Sequence, residues 1–132
     1  MNTLKKKILI IEDQDSIRLL LGAMLRKNYE VVTKKDGLEG MAWMVKGNIP
    51  DLILLDMSMP RLSGGDFLKN IRRSGYFRDV PVIVVSGNDE KEDIQMAQAL
   101  GAKHYLTKPF NPIRLQEKIS HVLALREEVA LN

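Results

Sequence analysis

The chain has 132 residues, 45% of them hydrophobic and 28% charged, with a formal net charge of +3; these values fit one globular domain, 1–132, and exclude a disordered or fibrous chain. No apolar run reaches membrane-spanning length, and the absence of cysteine excludes disulfides and thiolate metal sites. The basic run Lys5 to Lys7 lacks the interleaved aromatic or Gly/Arg residues of a nucleic-acid patch and reads as a solvated edge.

The first apolar run, KILII at 7–11, reads as a strand, and Glu12 and Asp13 end it too early for a signal-peptide core. The protein is therefore expected in the cytoplasm. A helix follows over roughly 15–27, with Asp15 as its N-cap and Ile17, Leu20, Leu21, Met24 and Leu25 as its core stripe. YEVVT at 29–33 gives a second strand, and LEGMAWM a second helix in which Trp43 reads as surface or interface. Gly40 should weaken that helix by about 0.5–1 kcal/mol relative to Ala unless close packing requires it. DLILLD at 51–56 is the third strand; after it, Ser63, Gly64, Gly65 and Asp66 have the form of a capping box that opens a third helix. PVIVVS at 81–86 and HYLT at 104–107 supply the fourth and fifth strands, with a helix between them. Asn111 and Pro112, a cap and a first-turn proline, open a last helix whose Leu115, Ile119, Val122 and Leu123 face inward. The runs at 8–11, 52–55 and 82–85 are continuously apolar, as strands covered on both faces are. The fold class is α/β: a doubly wound five-stranded parallel sheet with helices on both faces.

In open sheets of this kind function sits at the carboxyl ends of the strands. Strand one ends in Glu12 and Asp13, strand three in Asp56, strand four in Ser86 and Gly87, and strand five in Thr107, Lys108 and Pro109. Singly, each carboxylate reads as a helix-dipole or surface residue. Capping does not use them, because Asp15 and Ser63 are better placed for it. Should strands one and three be neighbours, three carboxylates meet in one crevice, and like charges at close range persist when cations sit among them. A hard divalent ion such as magnesium, or manganese, is one such cation; Lys108 is the other. Ser86 adds a hydroxyl that can donate to an oxyanion, with space left by Gly87. A metal, a lysine and a hydroxyl around one carboxylate make a site for phosphoryl transfer, with Asp56 as nucleophile.

These segments resemble the receiver domain of two-component response regulators, in order from ILIIEDQDSIR through YEVVTKKDGLEG, PDLILLDMSMPRLSGGDFL and PVIVVSGNDE to GAKHYLTKPF. The resemblance implies a flavodoxin-like (βα)5 fold. It also implies that Asp56 accepts a phosphoryl group from the phosphohistidine of a sensor histidine kinase, from a phosphotransfer protein, or from a small phosphodonor. It assigns magnesium to Glu12, Asp13, Asp56 and the backbone carbonyl of Ser58, phosphoryl contact to Lys108, and switching to Ser86 and Tyr105. Pro109 matches a proline that usually follows a cis peptide bond. Phosphorylation would change the face formed by the fourth helix, fifth strand and fifth helix, for an output protein or domain or for a homodimer. The implied module is a phosphoacceptor rather than an independent enzyme, binding neither nucleic acid nor membrane through this segment. Asn88 and Ser58 fall where the family varies and tunes phosphoryl lifetime. The alternative is a receiver-like interaction domain that is not phosphorylated; a haloacid-dehalogenase phosphatase would need a second carboxylate two residues after Asp56, where Ser58 stands.

Overall fold

The computed structural model describes residues 4–57, 64–87 and 91–131, with the backbone alone considered for Ser86, 91–93 and 128–131. Strands and helices alternate: β1 (Lys7–Ile11), α1 (Asp15–Leu25), β2 (Glu30–Lys34), α2 (Gly37–Val45), β3 (Leu52–Asp56), α3 (Gly64–Arg73), β4 (Val82–Ser86), α4 (Lys91–Ala99), β5 (His104–Thr107) and α5 (Pro112–Leu131). The strands form one parallel sheet in the order β2-β1-β3-β4-β5. A parallel neighbour requires a crossover, and each crossover here carries a helix that covers a sheet face.

Strand side chains alternate between faces, which divides the core in two. Leu9, Ile11, Ile53, Leu55, Val82 and Val84 pack with Met44 of α2, Phe67, Leu68 and Ile71 of α3, and Ala97 of α4. On the other face Ile8, Ile10, Leu52, Leu54 and Ile83 pack with Leu21 and Leu25 of α1 and Leu115, Ile119, Val122 and Leu123 of α5. This double covering accounts for the unbroken apolar runs of β1, β3 and β4.

The last helix starts as expected: the Asn111 side chain accepts from the backbone N–H groups of Ile113 at 2.8 Å and Arg114 at 3.3 Å. Three expectations for α1 need correction. Its N-cap is Gln14, which makes no side-chain capping bond, and Asp15 is the first helical residue. The carboxylate of Asp15 pairs with Arg18 instead of capping. Leu20 is 59% exposed, because the stripe that reaches the sheet runs through Ile17, Leu21, Met24 and Leu25 and Leu20 falls beside it. The helix also stops at Leu25 rather than near Lys27, and β2 begins one residue later than its apolar run suggested. Ser63, the expected cap of α3, lies outside the described residues.

Gly40 has its packing reason. A Cβ there would stand 2.6 Å from Cδ1 of Ile11 and 3.4 Å from a ring carbon of Phe67, so α2 approaches β1 and α3 as closely as it does because the side chain is missing. Trp43 is half-buried against the same core, with the Lys7 ammonium 5.8 Å from its ring.

Candidate phosphoacceptor site

The register explains why the chemistry gathers at one place. β1 and β3 are paired with Ile10 opposite Leu54 and Ile11 opposite Leu55, so Glu12 and Asp56 stand at the next level of the same two strands. Both continue the parity of Ile8, Ile10, Leu52 and Leu54. In β5, His104 and Leu106 share that parity through the pairs Ile83 with His104 and Val85 with Leu106, and Lys108 is the next residue in step. The ends of β1 and β3, and of β5 across β4, therefore aim a glutamate, an aspartate and a lysine at one point.

The distances confirm it. Carboxylate oxygens of Glu12, Asp13 and Asp56 lie within 4.8 Å of one another. The Lys108 ammonium is 2.7 Å from Glu12 Oε1 and 3.7 Å from Asp56 Oδ2. Glu12 is 2% and Asp56 4% exposed, whereas Asp13 is half-buried and opens the cluster towards solvent. The other oxygen of Glu12 accepts from the Gln14 N–H at 3.2 Å. Glu12 thus shapes the turn after β1 as well as facing the cluster. Among the described residues one ammonium faces three carboxylates, which leaves a negative centre, and the carboxylate donors are all oxygen. Both features suit a small hard cation.

Ser86 ends β4 with its backbone paired to Thr107, one level beyond the pairing of Asp56 with Val85. Gly87 is exposed, with open space where a Cβ would stand. Tyr105 lies on β5 and is 37% exposed. The Lys108–Pro109 peptide bond is cis, as the resemblance implied. Ser58 and Asn88 fall outside the described residues. Met57 is core, packed with Phe67 and Leu68. His121 is exposed on α5, and His104 stands at the opposite end of β5 from Lys108.

Burial lowers the pKa of His104 below its usual 6.5, helped by the positive charges of Lys118, His121 and Lys103. The fold therefore favours the neutral imidazole. Stability linked to this group is complete above pH 6.5 and is lost as pH falls from there towards the lowered folded value. Melting temperatures measured across that interval should show a shallower acid decline in His104→Gln than in the wild type.

Two residues at the site escaped the sequence reading. Gly64 opens α3 directly against the end of β3: a Cβ would lie 2.7 Å from Met57 Cα and 2.9 Å from the carbonyl oxygen of Asp56. Those are backbone atoms and cannot turn aside. Gly64→Ala should cost about 1–3 kcal/mol by overpacking and move the Asp56 backbone; a denaturant melt together with the Asp56 amide shift checks both. The second is Arg18. Its guanidinium donates through Nη1 to the carbonyls of Glu12 at 3.0 Å and Asp13 at 3.4 Å, while Nη2 pairs with Asp15.

Known proteins are similar to this chain in sequence and fold. Residues 8–120 match the family model of the response regulator receiver domain. The chain belongs to that family. It is 35% identical over 128 residues to the alkaline phosphatase synthesis transcriptional regulatory protein PhoP of Bacillus subtilis, a match that takes in 96% of this chain and 52% of PhoP. With the phosphate regulon transcriptional regulatory protein PhoB of Escherichia coli it shares 33% identity over 118 residues, 89% of this chain and 52% of PhoB. It spans about half the length of these curated relatives. Among solved structures it is similar to the chemotaxis protein CheY4 of Vibrio cholerae, with a TM-score of 0.83 and 33% identity over 89% of this chain and 98% of that one. It is also similar to the receiver domain of a sensor histidine kinase from Pseudomonas aeruginosa, with a TM-score of 0.83 and 29% identity over 91% of this chain and 98% of that one. Receiver domains are phosphoacceptors, and as one of them the chain is a phosphorylation-activated switch of two-component signalling. Among the described residues no helix is long and apolar enough to cross a membrane.

Proposed function

We propose that Asp56 accepts the phosphoryl group and that Glu12, Asp13 and Asp56, with the backbone carbonyl of Ser58, hold the magnesium or manganese ion the reaction needs. The observation that carries this reading is the meeting of three carboxylates and one ammonium at the ends of β1, β3 and β5. The Pseudomonas receiver domain has a magnesium ion coordinated in its active-site cleft, and the all-oxygen donor set here suits the same ion. A bound divalent ion would supply positive charge to the phosphoryl oxygens.

The chain's own part is positioning. An oxygen of Asp56 attacks the phosphorus of a phosphohistidine on a sensor histidine kinase or phosphotransfer protein. The phosphorus–nitrogen bond breaks, and its electron pair stays on the imidazole. Lys108, already 3.7 Å from Asp56 Oδ2, is placed to exchange its contact with Glu12 for one with the new phosphoryl oxygens. Ser86, at the end of the neighbouring strand, supplies a hydroxyl to the same group, and Tyr105 follows it as the second member of the switch. Self-directed transfer and autodephosphorylation are the only chemistry assigned, in a single receiver domain working in the cytoplasm.

The signal leaves through α4, β5 and α5, where Met96, Tyr105 and Ile113 are exposed at 48%, 37% and 68%. Its reader is an output protein or domain, or a second copy of the chain. Sedimentation with and without beryllofluoride should show a shift to dimer; an unchanged monomer assigns the face to a different partner. The reading as a whole is tested by acetyl phosphate and magnesium: intact-mass spectrometry should show one phosphoryl addition, mapped to Asp56. No addition overturns it.

A further inference from the structure

We infer that Arg18 is a positioning residue for the divalent-metal site, fixing the direction of the Glu12 and Asp13 carboxylates without touching the ion, Asp56 or the phosphoryl group. This rests on the metal site proposed above and adds to it a residue outside the ligand set.

The inference comes from how the chain leaves β1. Glu12 still pairs with the sheet, its N–H donating to the Lys34 carbonyl at 3.1 Å. Beyond it the backbone turns into α1 through Asp13 and Gln14, and α1 begins without a side-chain cap. The Glu12 carboxylate on the Gln14 N–H holds one side of this turn, which leaves the Glu12 and Asp13 carbonyls to be fixed from elsewhere. The Arg18 guanidinium reaches back from the first turn of α1 to the carbonyls of both residues. Its side chain is 14% exposed, so the bonds are sheltered from water. One nitrogen of the planar fork makes both contacts while the other pairs with the Asp15 carboxylate, a spacing that the single nitrogen of a lysine does not reproduce. Asp15 has the complementary part. A bare guanidinium beside a cation site would repel the incoming ion, and the pair with Asp15 offsets that charge.

Two opposed effects follow from removing Arg18. Loosening the turn weakens metal binding; removing a positive charge strengthens it. Because Asp15 already offsets the charge, loosening should win. Partners of this kind, which orient metal ligands from behind, typically matter by about 10–100-fold in affinity.

The experiment measures manganese binding to the unphosphorylated full chain by the loss of the free-ion EPR signal, which needs no phosphotransfer. Arg18→Met should weaken binding about tenfold. Arg18→Lys should fall between it and the wild type. Asp15→Asn, which strips the offsetting charge while keeping the guanidinium, should also weaken binding. Val122→Ala, a core change on α5 remote from the turn, destabilises the fold and should leave manganese affinity unchanged. In acetyl phosphate labelling the half-saturating magnesium of Arg18→Met should rise in step with the manganese result, and the plateau rate should fall by a smaller factor. Unchanged or tighter manganese binding in Arg18→Met overturns the inference, as does an equal loss in Val122→Ala. A plateau rate that collapses while half-saturation stays fixed overturns it too, since Arg18 would then act on the chemistry. A wild type that binds manganese but takes no phosphoryl group overturns the proposed function and leaves the Arg18 inference standing. A wild type that binds no manganese removes both.

Discussion

Asp56→Asn is expected to abolish labelling by acetyl phosphate while leaving the fold at least as stable as the wild type in EDTA. Of the three clustered carboxylates, Glu12 has both oxygens committed, one to Lys108 at 2.7 Å and one to the Gln14 N–H at 3.2 Å. Attack by Glu12 would require breaking one of these contacts. Asp13 lies towards the solvent side, in the turn after β1. Asp56 is the last residue of a central strand, 4% exposed, with the Lys108 ammonium 3.7 Å from its Oδ2. An amide there keeps the shape but loses the nucleophile, since its nitrogen lone pair is delocalised into the carbonyl. It also removes one negative charge from a crowded crevice. Intact-mass spectrometry should show no phosphoryl addition in the variant, and its thermal midpoint in EDTA should match or exceed that of the wild type. Undiminished labelling would move the acceptor to another carboxylate. A much lower midpoint would mean that Asp56 has a structural role the isosteric amide cannot fill.

The parts of this site that were legible in the sequence are those fixed by period and order. Apolar runs marked β1, β3 and β4, and whatever polar residue ended each run had to stand at the carboxyl edge of the sheet. This is why Glu12, Asp13, Asp56 and Lys108 could be named before their contacts were known. What period alone cannot convey is how closely two elements approach, or which way a long side chain folds. Gly64 looked like part of a capping sequence; its contact with the Asp56 carbonyl depends on the distance between α3 and β3. Arg18 sits three residues after Asp15, and spacing alone does not show that its guanidinium reaches back to the turn before the helix. Local preference favours an aspartate as the cap of α1, but Asp15 is its first helical residue and pairs with Arg18, three residues on. Leu20 shows the remaining limit. An apolar side chain beside a core stripe is indistinguishable by period from one inside it, and only the packing of α1 on the sheet decides.

Lys108→Met and Asp13→Asn should move stability in opposite directions, and magnesium should reverse their order of response. Among the described residues of the metal-free protein Lys108 is the cation facing Glu12 and Asp56, and it is only 15% exposed. Removing it leaves Glu12 buried without its ion pair, a change that typically costs about 3–5 kcal/mol when one partner of a buried pair is deleted. The opening towards solvent beside Asp13 should hold the loss near the lower end. Asp13 itself forms no salt bridge among the described residues, so its charge adds repulsion to the cluster without a compensating contact. Asp13→Asn should accordingly raise the melting temperature in EDTA. Magnesium changes the balance because it binds the folded cluster and not the unfolded chain. At a free concentration ten times its dissociation constant it should stabilise the wild type by about 1.4 kcal/mol through linkage. Lys108→Met, with a more negative and unrelieved cluster, should gain more than this; Asp13→Asn, lacking a ligand, should gain much less. Melts of all three proteins in EDTA and in magnesium at constant ionic strength separate site binding from general screening. If Asp13→Asn melts below the wild type in EDTA, or if magnesium shifts the three proteins equally, the carboxylates do not act as one repulsive metal-binding cluster, and the charge balance assigned to Lys108 is wrong.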